Sequence, residues 1–281
     1  MPASSDRVVV VTGGSAGIGR AAVEKLAAGG ARVVTCARDG DRLAEGVGGL
    51  PGVTAMSADM AGAADRTRLL EATLAEHGRI DAVVLNAGLG WAGLVEDMPG
   101  EAVDGIVALN LTGAIELTRL ALPHLLATAR ERGRADVVAV SSVAAWSQVP
   151  PLTVYSATKA GLTGFVKGLR REVTARGVRV HTVNPFFVET EWLARGHGHP
   201  PTSDDDARGR LSRGVAPARV ADAIAGCLTS PWSRTVSVPR AAGAARLGEV
   251  TPINRLLDVT LSRLSGRMRA AARSAVDART C

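Results

Sequence analysis

Tyrosine occurs once in the 281 residues, and all aromatic residues together make up only 3%. So thin a supply leaves no basic patch interleaved with aromatics, which argues against nucleic-acid binding despite a net charge of +6 (33 basic against 27 acidic side chains). Cysteine is also scarce. Cys36, Cys227 and Cys281 are odd in number and lack paired spacing, so neither a disulfide framework nor a zinc site is expected. Met1 to Arg7 runs straight into an apolar strand without a cationic-then-apolar leader. No apolar run approaches the ~18 residues that span a bilayer. These absences predict a soluble, cytoplasmic protein. His197 and His199 stand near Asp204 to Asp206 without a convincing ligand spacing, so they read as solvated loop residues and no metal is expected.

Against these absences, 46% hydrophobic and 21% charged residues are ordinary globular composition, and a chain of this length buries roughly three quarters of its unfolded surface. The positive charge is consistent with an arginine-rich compositional bias or with attraction for an anionic cofactor.

The most informative stretch is Tyr155-Ser-Ala-Thr-Lys159. In a helix its two ends lie on one face, a turn apart. A phenol with a pKa near ~10 is a poor proton donor at neutral pH, and a neighbouring ammonium is expected to move it toward working pH. Ser142 lies thirteen residues upstream, at the end of the apolar run Val137-Val-Ala-Val-Ser-Ser142, where its hydroxyl can hold a substrate carbonyl. Tyrosine and lysine meet this spacing by chance in many helices. A packing role is less expected for the chain's sole tyrosine.

At the other end, Val8 to Val11 reads as a strand buried on both faces. It leads into Thr12-Gly13-Gly14-Ser15-Ala16-Gly17-Ile18-Gly19, followed by a helix with Ile18, Ala22 and Leu26 on one face. Strand, glycine turn and helix together make a phosphate-binding loop: the glycines let the backbone approach a pyrophosphate, and the helix N-terminus offers free N–H groups. A merely tight turn is the plainer alternative. The absence of a following Lys-Ser/Thr excludes a P-loop. Arg32 to Cys36 forms the second strand, after which Arg38 is placed to accept a ribose 2′-phosphate and Asp39 to cap the next helix.

Taken in order, the glycine turn, Ser142, Tyr155 and Lys159 resemble the short-chain dehydrogenase/reductase family over about residues 7 to 240. The resemblance implies a Rossmann-like α/β fold, a doubly wound parallel sheet of about seven strands with helices on both faces. It implies that Gly13, Ser15, Gly17, Ile18 and Gly19 hold the cofactor pyrophosphate, and that Asp59 and Met60 lie beside its adenine. Asn86, Ala87 and Gly88 match the family's Asn-Asn-Ala-Gly element, with Leu85 in place of the first Asn. Asn110 falls where the family has a helix-bending Asn whose carbonyl holds a water beside the lysine; an Asn satisfied within its own helix is the plainer alternative. Pro185, Val188 and Thr190 correspond to a further cofactor-binding segment, where Phe186 replaces the usual glycine. Pro123 is expected to kink its helix or to start its next turn.

The resemblance implies a nicotinamide cofactor, which Arg38 makes NADP(H), together with hydride transfer to a carbonyl and Tyr155, Lys159, Ser142 and Asn110 as the catalytic set. Trp146, Val149, Phe186, Phe187 and Trp192 are expected to wall an apolar substrate pocket. Residues 191–214 read as a lid within a single domain spanning 1–240. Residues 241–281 read as a helical extension, with apolar positions Ile253, Leu256, Leu257, Leu261, Leu264 and Met268 opposite arginines. Such a helix can lie on an anionic membrane or pack on the enzyme, and packing is the favoured reading. A homodimer or homotetramer is what the family implies. The alternatives are an NAD-dependent alcohol dehydrogenase and a non-catalytic NADP-sensing protein.

Overall fold

In the computed structural model, residues 6–148, 150–188 and 214–249 are described. Seven strands form one parallel sheet in the order β3-β2-β1-β4-β5-β6-β7. They are β1 Val8–Thr12, β2 Arg32–Ala37, β3 Val53–Ser57, β4 Ala82–Leu85, β5 Ala135–Val140, β6 Val178–Pro185 and β7 Thr235–Val238. Their apolar runs follow from the layering. A strand covered by helices on both faces has no solvent side to make polar, so all five residues of β1 and all six of β5 are buried.

The helices are α1 Gly17–Ala28, α2 Gly40–Val47, α3 Ala63–His77, α4 Gly100–Val107, α5 Ala114–Arg132, α6 Ala144–Ser147, α7 Thr153–Val173 and α8 Pro217–Thr229. Side chains alternate along β1. Val10 joins a core with Leu69, Leu117, Leu125 and Leu162 from α3, α5 and α7. Val9 and Val11 join the opposite core with Val23, Leu26, Leu43 and Ile224 from α1, α2 and α8. Arg240–Glu249 continues as a 3-10 helix after β7.

β1 pairs with β2 on one side and with β4 on the other, so the chain reverses its winding direction between β1 and β4. In such sheets ligands bind at the carboxyl ends of the strands beside this switch point. At the opposite end, buried charges tie distant strands together. Asp136 accepts from Arg7 at 2.6 Å and from Arg134 at 2.7 and 2.8 Å, and bonds the His181 Nε2 at 2.9 Å. His181 Nδ1 accepts from the Arg234 amide at 3.1 Å, which places the ring proton on Nε2 and makes the imidazole neutral.

One expectation changes. The run Gly100–Arg132 is helical throughout and is long and apolar enough to cross a membrane, although no unbroken apolar run of that length appears in the sequence. Core packing accounts for part of its apolar character: Leu117, Ala121 and Leu125 are 0–1% exposed. Pro123 lies inside α5. Residues 191–213 of the expected lid and the amphipathic stretch 252–274 lie outside the described residues.

Candidate functional site

The carboxyl ends of β1, β2, β4, β5 and β6 open onto a cleft of about 1560 Å³. The glycine turn lines it through Gly13, Ser15, Gly17, Ile18 and Gly19. Gly13 and Gly17 adopt φ of 75° and 52°, a region that strains any residue with a Cβ. A Cβ at Gly19 would overlap the Gly13 carbonyl, so here glycine is needed for the turn to close on its own helix. α1 begins without a side-chain cap, leaving its first N–H groups for a ligand.

Thr12 fastens this turn to the end of β4. Its hydroxyl accepts from the Asn86 and Ala87 amides, both at 3.0 Å, and donates to the Val84 carbonyl at 3.3 Å. The Asn86 side chain returns the link, donating to the carbonyls of Thr12 at 2.9 Å and Gly13 at 3.2 Å. Asn86 therefore braces the turn as well as lining the cleft with Ala87 and Gly88.

Beyond β2, Asp39 caps α2, accepting from the Arg42 amide at 3.0 Å. Arg38 is exposed and lines the cleft. Arg20 and Arg42 line it as well, although the sequence had not marked them. Their available signal was position: one directly follows Gly19, and the other stands four residues after Arg38. Asp59 and Met60 also line the cleft. The Asp59 carboxylate accepts from the Ala61 amide at 3.0 Å, and Asp65 accepts from the Asp59 amide at 2.6 Å, so the strand end is held from both sides.

At the other end of the cleft, α7 sets Tyr155 and Lys159 one turn apart, with the Lys159 ammonium 5.7 Å from the phenol ring centre. Ser141 anchors this helix to β5 by bonding the Lys159 carbonyl at 3.1 Å and the Thr163 hydroxyl at 2.8 Å. The next residue, Ser142, lines the same cleft as Tyr155. Ser142 Oγ also accepts from the Ala144 amide at 3.1 Å.

The electrostatics differ from the expectation drawn from the Tyr-x3-Lys spacing. Burial pushes the Tyr155 phenol up to about 12, with the Ser142 hydrogen bond pulling weakly the other way. Burial also pushes Lys159 down to about 8, so the ammonium is itself weakened as an electrostatic partner. Its Nζ donates to the Val140 carbonyl at 2.9 Å. Desolvation is the largest cause for both groups.

Asn110 lies in a π-helical segment, Ala108–Gly113, between α4 and α5. Its side-chain oxygen accepts from the Leu89 amide at 2.7 Å, and its side-chain nitrogen donates to the Leu89 carbonyl at 2.9 Å and the Thr158 hydroxyl at 3.2 Å. The side chain thus links the β4 loop to α7 rather than being satisfied within its own helix. A Cβ on Gly88 would lie 3.2 Å from the Asn110 oxygen and 3.5 Å from the Lys159 ammonium, so glycine keeps this junction tight.

Pro185, Phe186, Phe187 and Val188 line the cleft, with Phe186 51% and Phe187 39% exposed at its rim. Trp146 does not. It is 3% exposed and packs with Val143, Ala145, Ala160, Ala242 and Ala245, because the one-turn helix α6 uses it as an anchor. Leu89, Leu109, Val143, Pro151 and Leu152 supply apolar lining instead. Val149, Thr190 and Trp192 lie outside the described residues. Among the described residues no cluster of metal-ligating side chains occurs.

A family model described as short chain dehydrogenase matches residues 7–197. The chain belongs to that family. Among curated short-chain dehydrogenase relatives, it is 34% identical over 196 residues to a Streptomyces violaceoruber protein named as a ketoacyl reductase of the granaticin polyketide synthase, covering 68% of this chain and 71% of the relative. It is 37% identical over 190 residues to the L-fucose dehydrogenase of Mus musculus, covering 66% and 67% respectively. The 3-ketoacyl-(acyl-carrier-protein) reductase of Brucella melitensis, solved with NADH, superposes with a TM-score of 0.75 at 28% identity, over 85% of this chain and 99% of that one. This short-chain dehydrogenase is therefore an oxidoreductase of the nicotinamide-dependent class, acting on small molecules.

Proposed function

We propose that the protein reduces an apolar ketone to an alcohol with NADPH, and that Tyr155, Ser142, Lys159 and Asn110 carry the reaction. The observation behind this reading is that Tyr155, Ser142 and a buried Lys159 line one cleft with the glycine turn. The lining suits a dinucleotide: uncapped N–H groups at α1 and the Gly13–Gly19 backbone can take the pyrophosphate, and Lys159 can take ribose hydroxyls. When bound, the nicotinamide supplies the hydride that the carbonyl carbon accepts.

The chain supplies the proton and the orientation. Burial keeps Tyr155 proton-bearing at physiological pH, the form that donates to a carbonyl oxygen during reduction. Ser142, which lines the same cleft, can donate to the same carbonyl oxygen. The Asn110 side chain, held by Leu89 and Thr158, keeps the helix break in place beside Lys159.

NADPH is favoured because Arg38 is exposed at the cleft while Asp39 is engaged as the α2 cap. The apolar substrate class rests on Phe186, Phe187, Leu89, Val143 and Leu152. The two ketoacyl reductase likenesses agree with reduction of a ketone, and the NADH in the Brucella structure leaves NAD as the alternative cofactor. A panel of cyclic ketones and β-keto esters, followed by loss of reduced nicotinamide absorbance with NADPH and with NADH, tests the reading. Turnover with NADPH preferred supports it. Oxidation of alcohols with NAD and no ketone reduction would replace it with the dehydrogenase alternative.

A further inference from the structure

We infer that Arg246 and Trp146 are positioning residues for Ser142, so that the 3-10 helix after β7 sets the geometry of proton delivery. The inference rests on the proposed role of Ser142. Helix α6 is a single turn, too short to be stable by itself. Ser142 is bonded into that turn twice: its hydroxyl accepts from the Ala144 amide at 3.1 Å, and its carbonyl accepts from the Ala145 amide at 3.2 Å. Where α6 sits therefore decides where the Ser142 hydroxyl points.

Trp146 is the large side chain that holds α6. It is buried in a cluster with Val143 and Ala145, against which Ala160 of α7 and Ala242 and Ala245 of Arg240–Glu249 pack. The Arg246 guanidinium lies 4.2 Å from the ring centre and closes this socket. Arg246 is itself exposed, so it acts as a cationic lid on a buried indole. None of Trp146, Ala242, Ala245 or Arg246 lines the cleft, so their influence on the reaction passes through α6. The Val143 amide donates to the Pro185 carbonyl at 3.0 Å and the Phe186 amide to the Val238 carbonyl at 2.9 Å, so the same segments also meet at the cleft's apolar rim.

The test uses the full chain with NADPH and a ketone it reduces, cyclohexanone and ethyl acetoacetate being the first probes. Arg246→Ala is expected to lower kcat about five-fold, the factor an exposed cation–π contact carries, with the KM for NADPH unchanged. Arg246→Lys, which keeps a cation over the ring, restores most of the loss. Amide hydrogen exchange over residues 142–148 rises in Arg246→Ala and returns toward wild type in Arg246→Lys, a readout that does not depend on turnover. In a Ser142→Ala background, Arg246→Ala produces no further loss, because its route to the chemistry is gone. Wild-type kcat and exchange in Arg246→Ala, or losses that multiply with Ser142→Ala, would overturn the inference while leaving the site assignment standing. Full turnover in Ser142→Ala itself, or no ketone reduction by the wild type, would instead bring down the reading on which the inference rests.

Discussion

Lys159 stands one helical turn from Tyr155, with its ammonium 5.7 Å from the phenol ring centre, yet it donates to the Val140 carbonyl at 2.9 Å. The pair is therefore organised by the end of β5 as much as by α7. Both groups are buried, and burial drives their titrations apart: the phenol up to about 12 and the ammonium down to about 8.

A pH dependence follows. Below about 8 the site holds both a charged Lys159 and a proton-bearing Tyr155. As pH rises through about 8, Lys159 loses its charge while Tyr155 stays protonated. The rate constant kcat/KM for ketone reduction, with NADPH as the varied substrate, is expected to fall across this window. A profile that stays flat to pH 10, roughly the ordinary value of both groups, would contradict the assigned environment of Lys159.

Cofactor choice is expected to depend on Arg38. A hydrogen bond to a charged group contributes about 1.5–3 kcal/mol, or roughly 10–150-fold in affinity. Arg38→Ala should weaken NADPH binding by a factor in that range and leave NADH binding nearly unchanged, as read by fluorescence titration. An unchanged preference would shift attention to Arg20 and Arg42, which line the same cleft.

The buried ion cluster makes a separate prediction about stability. Hydrogen bonds from His181 and Arg134, together with the Arg7 charge, hold Asp136 down at about 2 against the pull of burial. Burial also lowers His181 from its ordinary value. Both folded pKa values are depressed, so the contribution of each is present above its unfolded value and lost as pH falls. Loss begins below about 6.5 for His181 and below about 3.8 for Asp136, and for Asp136 it is complete near 2. Asp136→Ala, which leaves Arg7, Arg134 and His181 without their shared partner, should cost about 3–5 kcal/mol in urea unfolding at pH 7. A cost under about 1 kcal/mol would show that water replaces the carboxylate readily.

Much of this architecture is legible in the sequence because it is local. The valine runs of β1 and β5 read as doubly covered strands, the glycine turn sits between strand and helix, and Asp39 precedes α2 as a cap. What escapes is long-range. Trp146 looks like a pocket wall until its partners Ala242, Ala245 and Arg246, about a hundred residues later, are brought beside it. Arg7 and Asp136 are 129 residues apart and carry no pattern. The titration of Tyr155 also misled, since helical spacing reports the neighbouring charge but not the depth of burial that outweighs it.

The brace between β1 and β4 offers a test of the cleft's construction. Thr12→Val keeps the shape but leaves the Asn86 and Ala87 amides without their acceptor. Each unsatisfied buried group costs about 1–3 kcal/mol. The variant should therefore be less stable by at least that much and should bind NADPH more weakly. Unchanged melting and binding would mean that water satisfies both amides.

The central claim is that Tyr155 delivers the proton. Tyr155→Phe removes one hydroxyl, keeps the ring packed, and leaves the glycine turn untouched. Steady-state kinetics beside a cofactor titration of this variant test the claim most directly. The expected result is a kcat lower by about 10²–10⁴-fold with NADPH affinity nearly unchanged. Retention of wild-type turnover would contradict it.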